Sequence, residues 1–495
     1  MIWLNTKNIA IFLLIVLACF SIFLNLDANF IQLWDEGLYA VPAYEMCLNG
    51  NYLVKFYDGL PDMVATNPPL VCYFQVLCMK IFGPGELAVR MPSALAALGV
   101  VLLIIRFSIK EKLGLDFAFY AVLFLITSHG YVGYHVARTG DLDSVLIFFI
   151  IGSIIYFYKF IEYEEEKKKY LLIFSLFILG GFFTKGIASL LVTPAFIIYA
   201  IIKNKVLYVL KSKQLYFYIF SILFLIILYY YLRELKTPGY VRTMLESEVG
   251  RWNRNDGLHA HPFWFYLSWL YESHFKYFLI LVPVFLILYF FIPRDNYCRK
   301  KSTIWLVSFI TFFLVISFST TKLEWYDAPL IPMLSIFLAF GLKSIIMRFK
   351  SVINFNRFSK LTLMIAKCSF IFFLFMMPYI SIIQTDLTHQ KGWHDINFGR
   401  ALRQYNKLKD VPKKMEMLYT GLNGHAIFYK LLYNHKFGYN ITSTDVGEKL
   451  TIIPNKVYLF THPGVKDYLE KNFNFKTYFE EDGMMVVRTL NPKHT

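Results

Sequence analysis

The stretch Asn8–Ala40, "NIAIFLLIVLACFSIFLNLDANFIQLWDEGLYA", decides the fold. Residues 8–26 carry no charged group, and then two adjacent acids, Asp35 and Glu36, follow about ten residues later. A segment that leaves water must satisfy its own backbone polar groups, which a helix of about 20 apolar residues does. The first part therefore reads as a membrane span, and the acids lie just outside it.

The rest of the chain has the same character. Of 495 residues, 57% are hydrophobic and 17% charged, with 50 Phe and 35 Tyr, a composition that excludes an ordinary soluble domain. Eleven segments meet the spanning criterion, near residues 8–26, 88–106, 115–132, 144–162, 169–184, 186–203, 215–232, 275–293, 303–319, 329–347 and 362–383. Only "TKG", Thr184–Gly186, separates the fifth from the sixth, and a re-entrant pair would read similarly. The first segment lacks a small-residue cleavage site and is expected to be a retained anchor.

Orientation follows from Lys and Arg. "RFSIKEK", "EEEKKKY", "KNKVLYVLKSK", "PRDNYCRKK" and "MRFKSVINFNRFSK" fall in every second connection, which makes those loops cytoplasmic. The N-terminus with Lys7 shares that side, and an odd number of spans sends the tail to the other. The net charge of +16 is thus a topology signal plus attraction to anionic lipid, and calls for no nucleic acid.

Three outer regions are too long to be mere connectors: 26–90, 233–275 and the tail, 386–495. The tail changes to soluble-domain composition. "MEMLYTG", "KVYLFTH" and "MMVVRTL" read as strands, and "FGRALRQYNKL", "GHAIFYKLLYN" and "PGVKDYLEKNF" as helices, so a small α/β domain is expected. Cys47, Cys72 and Cys78 follow no spacing rule and read as free core thiols. The sequon at Asn440 carries no weight, and no inverted repeat of the transporter kind is apparent.

Polar residues then recur at one depth on the outer side. "HVARTGDLDSVL" places Arg138, Asp141 and Asp143 at the mouth of the fourth segment; "FFTKGIAS" places Lys185; "TTKLEWYDAP" places Lys322, Glu324, Tyr326 and Asp327. Singly, such charges are helix-end ion pairs or snorkelling side chains. Together they suit one task. Carboxylates could activate a hydroxyl or bind a divalent cation, while Lys, Arg and Tyr hold a phosphate at headgroup depth. A lipid-phosphate substrate would explain the location.

"WDEGLYA", "NPPL", "ELAVRMPSAL", "ARTGDLD", "TKG", "EVGRW", "HAHPFWFY" and "TKLEWYDAP" occur in the order found in the polytopic GT-C glycosyltransferases. From Leu33 to about Met347 the chain resembles the branch containing the aminoarabinose transferases of lipid A and, more distantly, the protein O-mannosyltransferases. The resemblance implies an all-α polytopic GT-C transmembrane domain over residues 1–385, with about 11 or more transmembrane helices, followed by a small extracytoplasmic α/β domain. It implies inverting transfer of a sugar from a polyprenyl-phosphate donor, such as an undecaprenyl one, to an extracytoplasmic hydroxyl or phosphate. The acceptor would be a glycolipid such as lipid A or a cell-envelope glycan, and the setting a bacterial inner membrane with the site facing the periplasm. A protein O-glycosyltransferase is the runner-up, and a transporter of lipid-linked sugars the rival from another class.

Carried over onto these positions, Asp35 resembles the catalytic carboxylate, Glu36 its support and Asp143 the second acid. Arg138 would hold Asp143 or the phosphate, and Lys185, Arg251, Lys322 and Tyr326 resemble donor-phosphate contacts. Asp35, Glu36 and His259 are the candidates for a divalent cation, which the Lys and Arg could make dispensable; no other cofactor is implied. Two departures stand out. Leu38 occupies the place of an Arg and Asn67 that of a Lys, so positive charge expected near the donor phosphate is absent from both.

Overall fold

A computed structural model describes residues 6–133, 135–253, 259–291, 293, 296–352, 360–387, 397–447, 450–481 and 483–493. Among these, seven helices are long and apolar enough to cross a membrane: Glu86–Lys110, Asp143–Glu162, Lys167–Leu190, Lys213–Lys236, Tyr297–Phe318, Glu324–Arg348 and Ser369–Leu387. Shorter apolar helices are Lys7–Phe23, Leu70–Phe82, Leu115–Ile126, Thr193–Ile202 and Leu281–Phe291. The eleven expected spans thus resolve into seven of full length plus shorter pieces, and Leu70–Phe82 was not among those expected.

Local chemistry explains the short ones. The segment expected at 115–132 stops at Ile126, where the Thr127 hydroxyl donates to the Leu123 carbonyl at 2.6 Å and Ser128 does the same to Phe124, turning side chains back on the helix end. Residues 186–203 open as a 3₁₀ turn, Gly186–Leu190, before helix Thr193–Ile202.

The helices sort by what they face. Lys213–Lys236 turns Phe217, Phe220 and Ile227 outward, each more than 60% exposed, as befits a side bathed in lipid. Glu86–Lys110, Asp143–Glu162 and Glu324–Arg348 sit inside, around a core that includes Ile104, Phe124, Ile151, Trp305 and Leu334. At one end of this bundle the buried Glu111 accepts the Tyr158 and Tyr163 hydroxyls at 3.0 and 2.7 Å and pairs with Lys301. The basic loops gather at that end, so the charge there is satisfied structurally, and the acidic motif belongs to the other.

A short hairpin, β1 (Phe56–Tyr57) and β2 (Leu60–Pro61), lies in the first loop. The tail carries a five-stranded sheet: β3 (Lys414–Tyr419), β4 (Asn440–Asp445), β5 (Val457–Phe460), β6 (Phe473–Glu481) and β7 (Met484–Pro492), in the order β4-β3-β5-β7-β6. β3 runs parallel to β4 and β5, and β7 antiparallel to β5 and β6. β4 and β6 fall outside the expected strands, and both are edges of the sheet. Edge strands carry polar residues that blunt further pairing, so "NITSTD" and "FNFKTYFEE" lack the apolar run that marks β5.

The tail helix Gly424–Phe437 packs on Asp35–Asn49, the helix that begins with the acidic pair. Two glycines permit the approach: a Cβ on Gly37 would stand 2.7 Å from the Gly424 carbonyl carbon. Beside them the buried His425 donates from Nδ1 to the Ile31 carbonyl at 2.6 Å and accepts the Gly399 N–H at 3.0 Å on Nε2. That bonding requires the neutral ring, and burial pulls its pKa down to about 4. Stability from a His held neutral is full above its ordinary pKa near 6.5 and is lost as pH falls from there toward 4. The loss should total about 3 kcal/mol. Melting curves of the wild type against His425→Gln between pH 7 and 4 check this: the variant should start less stable and lose less on acidification.

Candidate active site

The acidic pair divides in two. Glu36 is 1% exposed and forms a two-pronged pair with Arg90, Nε to Oε1 at 2.7 Å and Nη2 to Oε2 at 2.9 Å. It also accepts the N–H groups of Gln32 and Gly140 at 2.7 and 2.8 Å. Arg90 spends its remaining N–H groups on the carbonyls of Leu26, Asn29 and Phe30. The expectation that Glu36 supports Asp35 or binds a cation is therefore corrected. Its lone pairs are taken, and it ties the first loop to helix Glu86–Lys110 and to the "ARTGDLD" loop.

Asp35 faces the other way and keeps 30% of its side chain open. The His135 Nδ1 lies 3.9 Å from its carboxylate and 3.3 Å from that of Asp141. Burial and then the neighbouring Asp141 push the Asp35 carboxyl above the ordinary carboxylate range, with His135 and Lys185 pulling it back. Burial alone would lower His135, but Asp141 and Asp35 raise it overall, and Asp141 is held low by the same imidazole. His135 adopts a left-handed backbone, φ +65°, and stacks on Trp325 with ring centres 3.6 Å apart. A non-glycine residue there costs on the order of 1 kcal/mol, and such strain concentrates at working sites. Asp35, His135 and Asp141 also form the one group among the described residues able to hold a metal ion, with ligand atoms all within 4.8 Å of one another.

A groove of about 730 Å³ opens beside them. At its head Lys185 pairs with Asp143 at 2.7 and 2.9 Å and lies 5.2 Å from the centre of the Tyr326 ring. An ammonium has three donors, so this pair leaves room for a phosphate oxygen. The walls are apolar, with Leu146, Ile187, Leu191, Phe312 and Ile316, and Glu248 adds an acid. Three expected residues, Asp143, Lys185 and Tyr326, thus meet at one end of three different helices.

Others go elsewhere. Arg138 does not reach Asp143: its guanidinium caps the first helix, donating to the carbonyls of Ser21, Ile22, Leu24 and Asn25. Orphan carbonyls at a helix end attract such a cation. Lys322 is 3% exposed, directs its ammonium at the carbonyls of His261 and Ser319, and does not line the groove that Lys185 and Tyr326 share. His259 is exposed and joins that turn through its backbone, its carbonyl accepting the Lys322 N–H at 2.9 Å. It stands outside the metal-capable group. Arg251 closes a helix whose backbone runs Tyr240–Asn253, but its side chain lies outside the described residues. Beside Asn67, where the resemblance leads one to expect a Lys, the buried Lys55 donates to the Asn67 carbonyl at 2.8 Å and lies 3.7 Å from Asp62. Cys47, Cys72 and Cys78 are free thiols; Cys72 and Cys78 are buried as expected, whereas Cys47 is half-buried.

His135, Trp325 and Glu248 were not foreseen. His135 lies inside the quoted "HVARTGDLD", but one histidine in a loop gives no sign that folding will set it between two acids.

Residues 66–231 match the family described as Dolichyl-phosphate-mannose-protein mannosyltransferase. That segment includes His135, Asp141, Asp143 and Lys185, and excludes Asp35 and Tyr326. An uncharacterized protein of Aquifex aeolicus is 26% identical over 329 residues, 65% of this chain and 62% of its own length. The undecaprenyl phosphate-alpha-4-amino-4-deoxy-L-arabinose arabinosyl transferase of Aeromonas hydrophila is 28% identical over 243 residues, 48% of this chain and 43% of its own. The chain spans less than two thirds of the length of these curated relatives. In three dimensions ArnT from Cupriavidus metallidurans, crystallised with undecaprenyl phosphate, superposes over 98% of both chains with a TM-score of 0.74 at 16% identity. The archaeal oligosaccharyltransferase AglB from Archaeoglobus fulgidus, in complex with an inhibitory peptide and a dolichol-phosphate, gives 0.51 over 98% of this chain and 74% of its own at 13% identity. The chain has the fold of ArnT; in sequence it resembles the aminoarabinose transferases and, over residues 66–231, the protein-mannosyltransferase family.

Proposed function

We propose that this chain is an integral membrane glycosyltransferase that moves a sugar, with inversion, from a polyprenyl-phosphate donor to an acceptor hydroxyl. The observation that carries the reading is the juxtaposition of an apolar groove headed by Lys185 and Tyr326 with an acid, Asp35, whose pKa is raised and whose carboxylate stays partly open. The groove suits a polyprenyl tail, and Lys185 suits its phosphate.

In the reaction the acceptor oxygen bonds to the anomeric carbon as the bond from that carbon to the phosphate oxygen breaks. The acceptor proton passes to Asp35, and the electron pair leaves with the polyprenyl phosphate. A base whose pKa has moved toward the working pH is better matched to that transfer. Lys185 meets the charge that grows on the departing phosphate, inside a site where each contact is stronger than in water. His135, set between Asp35 and Asp141, offsets part of the repulsion between those two acids. A divalent cation held by Asp35, His135 and Asp141 would supply further positive charge beside the acceptor.

The acceptor would be a glycolipid or envelope glycan, the membrane a bacterial inner membrane and the site periplasmic, as the basic-loop pattern supports. A protein hydroxyl is the second reading, favoured by the family match over residues 66–231.

A panel of radiolabelled polyprenyl-phosphate sugars with membrane-extract acceptors tests the function. Turnover with one donor is expected; no turnover with any, together with movement of the lipid-linked sugar across liposomes, would hand the protein to the transporter class. The donor site has its own check. Removing Lys185 together with its partner, as Lys185→Met with Asp143→Asn, avoids a buried unpaired charge. Undecaprenyl-phosphate affinity should fall at least tenfold, since a hydrogen bond to a charged group contributes about 1.5–3 kcal/mol. An unchanged Kd would remove Lys185 from the site.

A further inference from the structure

A second cleft, of about 960 Å³, reaches the same centre from another side. His135 and Trp325 line it, yet Lys185 and Tyr326 do not. The partition is one turn, Glu324–Asp327, which gives Tyr326 to the donor groove and Glu324 and Trp325 to the cleft.

The walls are unusual. Two π-helical turns, Leu270–His274 and Ile383–Leu387, line the cleft and supply Glu272, Ser273, His274, Thr385 and Asp386. Such turns are rare overall and frequent at functional sites. Their histidine and acid are held in place. His274 Nδ1 meets the buried Asp327 at 2.8 and 2.9 Å, and Asp386 meets His129 Nδ1 at 2.7 Å while His129 Nε2 meets the Ser381 hydroxyl at 2.9 Å. Trp269 lies over His274 with ring centres 5.5 Å apart. Glu272, Glu324 and Tyr277 remain exposed.

This lining contrasts with the apolar donor groove and would serve a lipid tail poorly. Extended peptides are usually held by backbone pairing or deep apolar pockets. Flat aromatic rings next to exposed carboxylates suit a pyranose. Its C–H face lies on the ring, and its hydroxyls donate to the carboxylates in short charge-assisted bonds.

We propose that this cleft is the acceptor subsite and that it takes a carbohydrate, stacked on Trp269 and Tyr277 with hydroxyls on Glu272 and Glu324. The reacting hydroxyl then passes Trp325 and His135 to reach Asp35. The assignment rests on the transferase reading above, and its test separates the two.

The full-length protein in nanodiscs, with Trp269→Ala and Glu272→Gln variants, is titrated with maltotriose, mannotriose and chitotriose by saturation-transfer NMR, and in parallel with Ser- and Thr-containing peptides. Undecaprenyl-phosphate affinity and, where a donor turns over, the acceptor KM are measured on the same samples. At least one trisaccharide should bind the wild type, with binding weakened about tenfold by either variant, the acceptor KM raised by a similar factor, and undecaprenyl-phosphate affinity within twofold. Saccharide binding that the variants weaken, without turnover on any donor, would keep the cleft as a carbohydrate site and sink both the transferase and the acceptor role. Turnover with variants whose acceptor KM is unchanged would sink the cleft assignment alone. Binding of the peptides and not the saccharides, or equal saccharide binding by wild type and variants, would also overturn it. Glu272 is exposed, so Glu272→Gln keeps the test decisive should Trp269→Ala fail to fold.

Discussion

Asp35→Asn should reduce sugar transfer by about 10³-fold, within the range for removing a positioned general base. That corresponds to about 4 kcal/mol of lost transition-state stabilisation. Donor affinity should stay within twofold, because the phosphate is met by Lys185 in the neighbouring groove and not by Asp35. Folding should change little. Asp35 bears no strong ion pair, only a carboxylate 3.9 Å from His135, and the amide removes a charge that burial disfavours. The measurement is kcat beside undecaprenyl-phosphate binding on one preparation. Residual transfer within tenfold of wild type would exclude Asp35 as the base.

Glu36→Ala, one residue later, should act on stability instead. It strips the buried Arg90 of its carboxylate and frees the Gln32 and Gly140 N–H groups together. Breaking a buried pair by removing one partner costs about 3–5 kcal/mol, because the remaining charge stays uncompensated. A large drop in melting temperature is expected, with release of the first loop to limited proteolysis. The double variant Glu36→Ala with Arg90→Met should recover part of the loss, since no charge is then stranded. Neighbouring acids with opposite phenotypes, one in rate and one in folding, would separate the two roles cleanly. Equal melting temperatures for wild type and Glu36→Ala would contradict the structural role.

Gly37→Ala offers a milder check on how the tail holds the site. Its Cβ would press on the Gly424 backbone, and overpacking of that kind costs about 1–3 kcal/mol. The helix that begins at Asp35 would have to shift, so transfer should fall along with stability while a groove-binding lipid phosphate is still bound.

Much of this was legible in one dimension. Apolar length and the placement of Lys and Arg are local quantities, and they lead to a polytopic chain with a soluble tail without any knowledge of packing. Asp143, Lys185 and Tyr326 could be named because each lies at the end of an apolar run, and helix ends at one depth must lie near a common plane. What a sequence cannot carry is the direction of a side chain and the identity of its partner. Glu36 and Asp35 are adjacent yet diverge, because successive residues on a helix point about 100° apart and only one of them meets Arg90, 54 positions away. Arg138 and Lys322 look like phosphate contacts by type and depth, but carbonyls at helix ends and in a neighbouring loop accept from them. His135 becomes the link between Asp35 and Asp141 only through a left-handed turn and the Trp325 ring laid over it. Sequence by itself therefore determined the solvent, the polytopic helical character and the kinds of side chain available. Tertiary structure alone decided which acid is open, which cations are spent on backbone, and that two clefts of different polarity lie on either side of the turn Glu324–Asp327, because hydrogen-bond satisfaction in a buried site is settled by neighbours distant in the chain.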